Sequence, residues 1–340
     1  MTAQPAPPSD AALLSLPKAE LHLHIEGALE PELAFELAGR GGVALPYGSV
    51  AELAAQYDFH DLQSFLDLYY ATMEVLRTEE DFAELTRRYL RRAASQGVRH
   101  AELFFDPQAH LARGVPIEAV VDGIGGALSE AGRDLDITGG LILCFLRDQP
   151  VESADAVLSA ALTRPEPLLG VGLDSAEVGY PPELFAGVFA RARDAGLRAV
   201  AHAGEEGPPA YIHQTLDLLG VERIDHGIRA VEDTELLHRL AAEGTPLTVC
   251  PLSNVRLRTV ADLAGHPLLR LDEAGVRVTV NSDDPAYFGG YIGDNYLAVR
   301  DALGVTADQA KRFARTSIEA SFATKERRTE LLDAVEAWRG

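Results

Sequence analysis

Glu20-Leu21-His22-Leu23-His24-Ile25 is the stretch of the chain from which its fold can be inferred. In a β-strand, residues two positions apart lie on the same face, so His22 and His24 point to one side and the apolar residues to the other. A single histidine in an apolar strand is more often a hydrogen-bonded core residue than a ligand. Two imidazoles directed together into a packed interior are costly unless something binds both of them. The stretch therefore predicts a buried strand that carries two metal ligands.

Seven further short runs rich in Val, Ile, Leu and Phe follow along the chain, and helix-like segments separate them. The eight runs cover residues 20–25, 99–105, 139–146, 170–174, 199–203, 223–226, 247–250 and 277–281. Regular alternation of strands and helices is typical of parallel strands joined by helical crossovers. Eight such units predict an α/β fold, a (β/α)8 TIM barrel.

The interval between the first two runs is longer than one helical crossover requires. Its helical segments, residues 31–38, 49–55, 59–76 and 78–95, predict extra helices inserted after the first strand. Two interpretations of these helices remain open: a lid that excludes water from the barrel mouth, or plain helical packing. We expect a disordered leader over residues 1–15 and one metal-dependent barrel domain over residues 16–340.

Composition excludes several classes of partner. The net charge of −22 argues against nucleic acid, because phosphate binding requires a clustered basic surface. No apolar run approaches the roughly 18 residues that span a bilayer, and the polar, Pro-rich residues 1–10 do not resemble a signal peptide. We therefore expect a cytoplasmic protein with no membrane partner, and leave a homo-oligomer open. Cys144 and Cys250 lie in apolar runs without CxxC spacing, so we expect buried, reduced thiols.

Three further polar segments follow apolar runs: His202-Ala203-Gly204-Glu205, Asp225-His226-Gly227 and Ser282-Asp283-Asp284-Pro285. Catalytic groups of TIM barrels lie at the carboxyl ends of the strands, so we expect these segments to meet His22 and His24 at one mouth. Within them, His202 is a candidate third nitrogen ligand and Asp283 a candidate carboxylate ligand. Such a set, with one position open for water, suits catalytic zinc.

The other polar residues of these segments are candidates for catalysis and substrate binding. Glu205 lies just beyond the fifth strand, and its alternative interpretation is an exposed loop residue. His226 can hydrogen-bond a metal-bound water. Asp284 points away from Asp283 and is free to contact a substrate, although Asp-Asp-Pro is also an ordinary turn or helix start. Together the segments indicate a metal hydrolase.

Five motifs carry a resemblance to a known family. They are Pro17-Lys-Ala-Glu-Leu-His-Leu-His24, His202-Ala-Gly-Glu205, Arg223-Ile-Asp-His-Gly227, Cys250-Pro-Leu-Ser-Asn254 and Asn281-Ser-Asp-Asp-Pro285. In this order the chain resembles the adenosine/adenine deaminase family of the amidohydrolase superfamily of zinc-dependent barrels. The resemblance implies one zinc ion bound by His22, His24, His202 and Asp283. It implies Glu205 as the proton donor to a purine ring, His226 as the group that positions the attacking hydroxide, and Asp284 as the partner of a ring nitrogen.

The segment after the fourth strand indicates which branch of this family, and so which substrate, the chain resembles most. Family members that act on adenosine typically have Asp-Leu-Ala-Gly-Asp-Glu there, whereas this chain has Asp174-Ser175-Ala176-Glu177-Val178-Gly179. Glu177 replaces a glycine, as does Asp225, and both departures resemble the adenine deaminase branch. Free adenine has an N–H on its imidazole or N3 edge that a carboxylate can accept, while N9 of adenosine has none. We therefore predict Glu177 and Asp284 as substrate-binding residues.

The predicted reaction is hydrolysis of adenine to hypoxanthine and ammonia in purine salvage. Zinc-bound hydroxide would attack C6 while Glu205 protonates the ring. The alternatives are an adenosine deaminase or a deaminase of another N9-substituted 6-aminopurine, such as aminodeoxyfutalosine. An amidohydrolase of different chemistry would not need Glu205 and Asp284 together, and a non-catalytic binding protein would be expected to lack a ligand. The roles of Ser175, Asp225 and Ser253 stay open.

Overall fold

Eight parallel strands form one sheet in the order β1 to β8. The structure is a computed structural model that describes residues 7–164 and 168–340. The strands are β1 Lys18–His24, β2 Val98–Phe105, β3 Thr138–Leu146, β4 Gly170–Asp174, β5 Arg198–Ala203, β6 Arg223–His226, β7 Leu247–Val249 and β8 Val278–Val280. A parallel bridge between Leu23 and Asp283 joins the first strand to the chain beyond the last. The predicted (β/α)8 barrel is confirmed.

Strand β1 illustrates how sequence alternation divides the barrel interior from the outer layer. Every residue of β1 is buried. Ala19 and Leu21 pack outwards against Ile318, Leu331 and Val335. The alternate positions face inwards, and these are the positions that hold the polar residues of the strand. Because the outer face is packed with apolar side chains, the register of β1 is fixed and both histidines are held inside the barrel.

Helices surround the sheet. In the described ranges they are α1 Asp10–Ser15, α2 Pro31–Gly41, α3 Val50–Ala54, α4 Leu62–Thr72, α5 Glu79–Ser95, α6 Pro107–Leu111, α7 Ile117–Asp134, α8 Val151–Leu162, α9 Ala186–Asp194, α10 Pro209–Gln214, α11 Thr234–Glu243, α12 Pro251–Arg256, α13 Leu268–Glu273, α14 Pro285–Phe288, α15 Ile292–Leu303, α16 Ala307–Ala320 and α17 Lys325–Ala337. Short 3₁₀ and π segments occur between them.

The insertion after β1 consists of α2 to α5, as predicted. Helix α4 begins at a capping box in which the Asp61 side chain accepts from the Ser64 amide and the Ser64 side chain accepts from the Asp61 amide. This cap fixes where α4 starts. Its apolar side chains Phe65 and Tyr69 are buried and reach the barrel mouth. The position of α4 favours the lid interpretation over plain packing.

The prediction of disorder up to residue 15 was wrong for its last part. Helix α1 covers Asp10–Ser15, with the Ser9 side chain accepting from the Ala12 amide. Leu13 is fully buried, and the Trp338 indole donates to the Ala12 carbonyl at 3.0 Å. The Pro-rich composition that predicts disorder ends before this short apolar helix begins. Residues 1–6 of the predicted leader lie outside the described residues.

Two other expectations can be compared with the fold. Cys144 and Cys250 are both buried and free, as predicted. Among residues 7–164 and 168–340, no helix has both the length and the apolar character required to cross a bilayer.

Candidate active site

Four histidines and an aspartate converge at the carboxyl ends of β1, β5, β6 and β8. One nitrogen or oxygen from each of His22, His202, His226 and Asp283 lies within 4.8 Å of the others. His24 joins them, since its Nε2 lies 3.2 Å from His202 Nε2 and 3.6 Å from Asp283 Oδ1. The structure therefore brings together all four predicted ligands, and His226 beside them.

Sharp backbone turns at the strand ends direct these side chains. Five non-glycine residues of the described ranges have positive φ, and three of them are Ser175 (70°), His226 (59°) and Asp283 (66°). Such conformations are disfavoured for residues with a Cβ and are often found at functional sites. Their occurrence at the ends of β4, β6 and β8 is consistent with a backbone shaped by the site.

The hydrogen-bond partner of Nδ1 in a predicted histidine ligand determines whether Nε2 of the same ring has a free lone pair. His22 Nδ1 donates to the Thr248 carbonyl at 3.2 Å, and His202 Nδ1 donates to the Leu173 carbonyl at 2.9 Å. A carbonyl only accepts, so each Nδ1 carries the ring proton and each Nε2 of a neutral ring has a free lone pair. The buried His22 Nε2 makes no hydrogen bond of good geometry and lies 3.2 Å from Asp283 Oδ1. Buried lone pairs facing one another with no proton between them fit a bound cation.

The charge state of the cluster supports the same conclusion. Burial lowers the pKa of His24 to about 4, and burial together with the neighbouring histidines places the pKa of His202 well below its usual value. Burial alone would raise the pKa of Asp283, but His22 and the other histidines hold it well below its usual range. Burial acts to lower the pKa of His22, but the charges of Asp283 and Asp225 raise it above its usual value. A cation bound beside Asp283 would take the place of that ring proton, and imidazoles with one carboxylate form a donor set that suits zinc.

His24, His202, His226 and Asp283 line a cavity of about 390 Å³, including its opening, and His22 lies behind them. Its polar wall consists of His24, Asp106, Asp174, Ser175, His202, Glu205, His226, Asp283 and Asp284, and its apolar and aromatic wall consists of Leu62, Phe65, Leu66, Tyr69, Tyr70, Leu257 and Phe288. Five members of the second set belong to α4. A cavity with one polar wall and one apolar and aromatic wall can hold a flat, nitrogen-rich ring.

Two carboxyl groups in the wall are suited to hydrogen-bond such a ring. Glu205 Oε2 lies 3.4 Å from His226 Nε2, while its Oε1 is buried without a partner. Burial raises the pKa of Glu205 well above its usual value, and the charges of Asp283 and Glu177 raise it further. Burial and Asp283 act in the same way on Asp284, whose Oδ1 also has no partner. These shifts favour the protonated form of both groups, in which each can donate a proton or a hydrogen bond.

A family model described as adenosine deaminase matches residues 17–338. The chain belongs to the adenosine deaminase family. An adenine deaminase of Streptomyces coelicolor is 60% identical over 330 residues, which cover 96% of this chain and 97% of the relative. An adenine deaminase of Cupriavidus taiwanensis is 57% identical over 331 residues, covering 96% and 94%.

Solved structures agree with this assignment to the adenosine deaminase family. The crystal structure of adenine deaminase from Arthrobacter aurescens is 55% identical, with a TM-score of 0.94 over 95% of this chain and 98% of that one. An amidohydrolase from Burkholderia ambifaria with bound zinc is 28% identical, with a TM-score of 0.88 over 99% and 97%. The resemblance inferred from the five motifs is thereby confirmed.

Glu177 occupies a different place from the one predicted for a substrate ligand. Its carboxylate accepts hydrogen bonds from the four consecutive amides of residues 204–207, at 2.7, 3.1, 2.9 and 2.7 Å. It is buried but does not line the cavity. A Cβ on Gly207 would lie 2.4 Å from Glu177 Oε1, so the glycine makes this approach possible. In this member of the adenosine deaminase family, Glu177 holds the loop that carries Glu205.

Asp225, whose role the sequence left open, supports the histidine ligands from behind. It is fully buried and does not line the cavity. Its Oδ1 accepts from the Thr248 hydroxyl at 2.7 Å and lies 3.9 Å from His22 Nδ1, while its Oδ2 lies 3.7 Å from His202 Nδ1. Asp225 makes no direct hydrogen bond to either ring, and it reaches His22 through the Thr248 hydroxyl, which lies 3.0 Å from His22 Nδ1.

Asp106 is a wall residue that sequence reasoning missed. It directly follows β2, is buried, and has an oxygen, Oδ1, without a partner. Burial raises its pKa well above the usual value, and the adjoining Asp174 raises it further. The same signal that identified the other site residues, a polar residue directly after an apolar run, also applies to Asp106.

Proposed function

We propose that the chain is a zinc-dependent adenine deaminase that hydrolyses adenine to hypoxanthine and ammonia in purine salvage. One observation carries the proposal: His24, His202, His226 and Asp283 share a single cavity with two buried acids, Glu205 and Asp284, and with the aromatic side chains of α4, while His22 lies within the same cluster of metal-binding groups. The names of relatives that are 55–60% identical over nearly the whole chain support it.

In this proposal His22, His24, His202 and Asp283 hold the zinc ion. Bound zinc would lower the pKa of a coordinated water towards neutrality and so supply a nucleophile. The free Nε2 lone pairs of the histidines and the carboxylate of Asp283 are the groups that such an ion requires.

Glu205 and Asp284 orient and activate the ring. Glu205 donates its proton to N1, which withdraws electron density from C6 and eases attack there. The protonated carboxyl of Asp284 donates a hydrogen bond to the lone pair of N7. A positioned acid of this kind contributes on the order of 10²–10⁴-fold to the rate.

His226 and Asp283 handle the attacking oxygen and its proton. His226 Nε2 lies 3.4 Å from Glu205 Oε2 and 3.6 Å from Asp283 Oδ2, so the three groups surround one small space in the cavity. His226 donates a hydrogen bond that orients the oxygen. Asp283 accepts the proton released on attack and passes it to the departing amine, which leaves as ammonia.

Asp106 accounts for the choice of a free base in this proposal. With N1 at Glu205 and N7 at Asp284, the opposite edge of the purine, which contains N3 and N9, faces away from these two groups towards the ends of β2 and β4. Asp106 lies in that part of the wall. Its raised pKa favours a proton that it shares with Asp174, while its unpartnered Oδ1 keeps lone pairs that can accept an N–H from the ring. A nucleoside has no proton on N9, and a site built for such a hydrogen bond can reject it by roughly 10⁴-fold. The specificity first assigned to Glu177 therefore fits Asp106 better.

Metal analysis combined with an ammonia-release assay tests the proposal. Purified protein should contain one zinc ion per chain and release ammonia from adenine much faster than from adenosine or cytosine. Glu205→Gln should abolish turnover and leave the zinc content unchanged. Glu206→Gln is the matched control, since Glu206 is the next residue but lies outside the cavity wall. Faster turnover of adenosine than of adenine would show that the substrate is an N9-substituted 6-aminopurine instead.

A further inference from the structure

Three buried side chains form a hydrogen-bonded series that runs from a backbone amide to the cavity. The Leu268 amide donates to His266 Nδ1 at 3.1 Å. His266 Nε2 lies 3.2 Å from Asn254 Oδ1, and Asn254 Nδ2 lies 3.2 Å from His226 Nδ1. Asn254 is completely buried, and the two rings are 4% and 1% exposed, so solvent does not compete for these bonds.

The backbone amide sets the direction of every bond in the series. Because the Leu268 N–H can only donate, His266 Nδ1 accepts, and the proton of this neutral ring lies on Nε2. That proton is donated to Asn254 Oδ1, which turns the Asn254 NH₂ group towards His226. An amide NH₂ can only donate, so His226 Nδ1 accepts and the proton of His226 lies on Nε2. Burial lowers the pKa of His266 to about 4, in keeping with a neutral ring.

The two zinc-ligand rings with carbonyl partners show the opposite arrangement. His22 and His202 each face a backbone carbonyl with Nδ1, which leaves Nε2 free to bind a metal. His226 faces a donor with Nδ1, which places a proton on the nitrogen that points into the cavity. A protonated Nε2 has no lone pair for a metal, although this atom lies only 3.6 Å from Asp283 Oδ2. The group that faces Nδ1 thus determines whether a histidine of this cluster is a metal ligand or a hydrogen-bond donor.

We infer that Asn254 and His266 are positioning residues that hold His226 as its Nε2–H tautomer. His226 then acts as a hydrogen-bond donor to the attacking oxygen and neither as a fourth histidine ligand nor as a base. The tautomer follows from the protein alone, whereas its kinetic consequence rests on the proposed adenine deaminase function. Asn254→Asp should reverse the tautomer. A carboxylate oxygen facing Nδ1 accepts a hydrogen bond from an Nδ1–H group, whereas the NH₂ group of asparagine in the same place can only donate.

Histidine ring NMR on the zinc-loaded, ¹⁵N-labelled protein tests the tautomer directly. In the wild type, long-range ¹H–¹⁵N correlations should show a protonated Nε2 and an unprotonated Nδ1 for His226. Asn254→Asp should move the proton to Nδ1. Asn295→Asp is the matched control, since Asn295 is equally buried and hydrogen-bonded but contacts no histidine. A protonated Nδ1 in the wild-type protein would overturn the inference, and this measurement requires neither a folded variant nor a known substrate.

Kinetics with adenine provide the second readout. Asn254→Asp should lower kcat by about 10²-fold, the lower end of the loss seen when one preorganised hydrogen-bond donor is removed. KM for adenine and the zinc content should stay at wild-type values, because neither the ring contacts nor the ligands change. A loss of activity that merely follows a loss of zinc would contradict the positioning role.

Discussion

Glu177 is predicted from the sequence to accept an N–H from the substrate, but in the structure its hydrogen bonds come from a loop. One carboxylate accepts from the four amides of residues 204–207, so it replaces the hydrogen bonds that this loop would otherwise make with water. Hydrogen bonds to a charged group contribute about 1.5–3 kcal/mol each, and a buried donor left without a partner costs about 1–3 kcal/mol. The loop, and Glu205 with it, therefore depends on this side chain for its position.

Replacing Glu177 with Gln should weaken the loop without altering which purine is accepted. We expect the free energy of unfolding to fall by about 2–3 kcal/mol, measured by denaturant titration, and kcat for adenine to fall with it. The ratio of kcat/KM for adenine to that for adenosine should not change, whereas a direct contact between Glu177 and the base would make this ratio collapse. Glu183→Gln, an exposed change in the same connection, is the control.

Asp106 is the residue at which the substrate ratio should change. Asp106→Ala removes the proposed acceptor for the ring N–H, so kcat/KM for adenine should fall by about 5- to 100-fold, because a buried N–H left without a partner costs about 1–3 kcal/mol. Adenosine cannot use this acceptor, and its kcat/KM should not fall. Ammonia release from both substrates, with zinc content measured in parallel, checks the expectation. An equal fall for both substrates would assign Asp106 a general structural role.

At the scale of elements, α4 connects the insertion to catalysis. Phe65 packs against Phe288 with ring centroids 4.7 Å apart and against Tyr69 at 5.1 Å, and all three line the cavity. Aromatic contacts of this kind contribute about 0.5–1.5 kcal/mol beyond the area they bury. The helix therefore both closes the cavity and supplies a flat surface for the purine.

Phe65→Ala should open this wall of the cavity. We expect KM for adenine to rise about 3- to 10-fold, because the lost aromatic contact costs about 0.5–1.5 kcal/mol, while zinc content is unchanged. Phe35→Ala is the matched control, since Phe35 lies in α2 of the same insertion, is half-buried and does not line the cavity. Steady-state kinetics of the two variants would distinguish a lid from plain packing. If α4 only fills space, Phe65→Ala and Phe35→Ala should have the same KM for adenine.

Elements could be predicted from the sequence more completely than contacts between them. The apolar runs located every strand, and the two-residue spacing of His22 and His24 predicted that both rings lie on one face, because strand periodicity is a local property. The contacts of Glu177 could not be predicted, because its partners are backbone amides 27 to 30 residues away, which leave no trace in side-chain identity. His226 differs from the ligands only through Asn254, which follows a different strand. Such distinctions require the folded barrel.

At the scale of the whole molecule, the proposed metal site connects parts of the chain that are far apart in sequence. Its ligands come from β1, from β5 and from the turn after β8, and the Leu23–Asp283 bridge that joins the two ends of the sheet lies directly beside them. No ligand set exists until the barrel is complete, so a bound ion stabilises only the folded state. The same ion compensates the buried carboxylate and lone pairs that would otherwise face one another.

Metal removal should therefore lower the thermal stability of the whole barrel. An ion present at a thousand times its Kd contributes about 4 kcal/mol, which for a chain of this size corresponds to a fall in Tm of about 5–10 °C on treatment with a chelator. Added zinc should restore the Tm measured by calorimetry. His22→Ala should have a low Tm that no longer responds to chelator, whereas His213→Ala, a change outside the cluster, should respond as the wild type does. A chelator-insensitive wild-type Tm would mean that the barrel is complete and stable without the ion, and that the donor set contributes to catalysis alone.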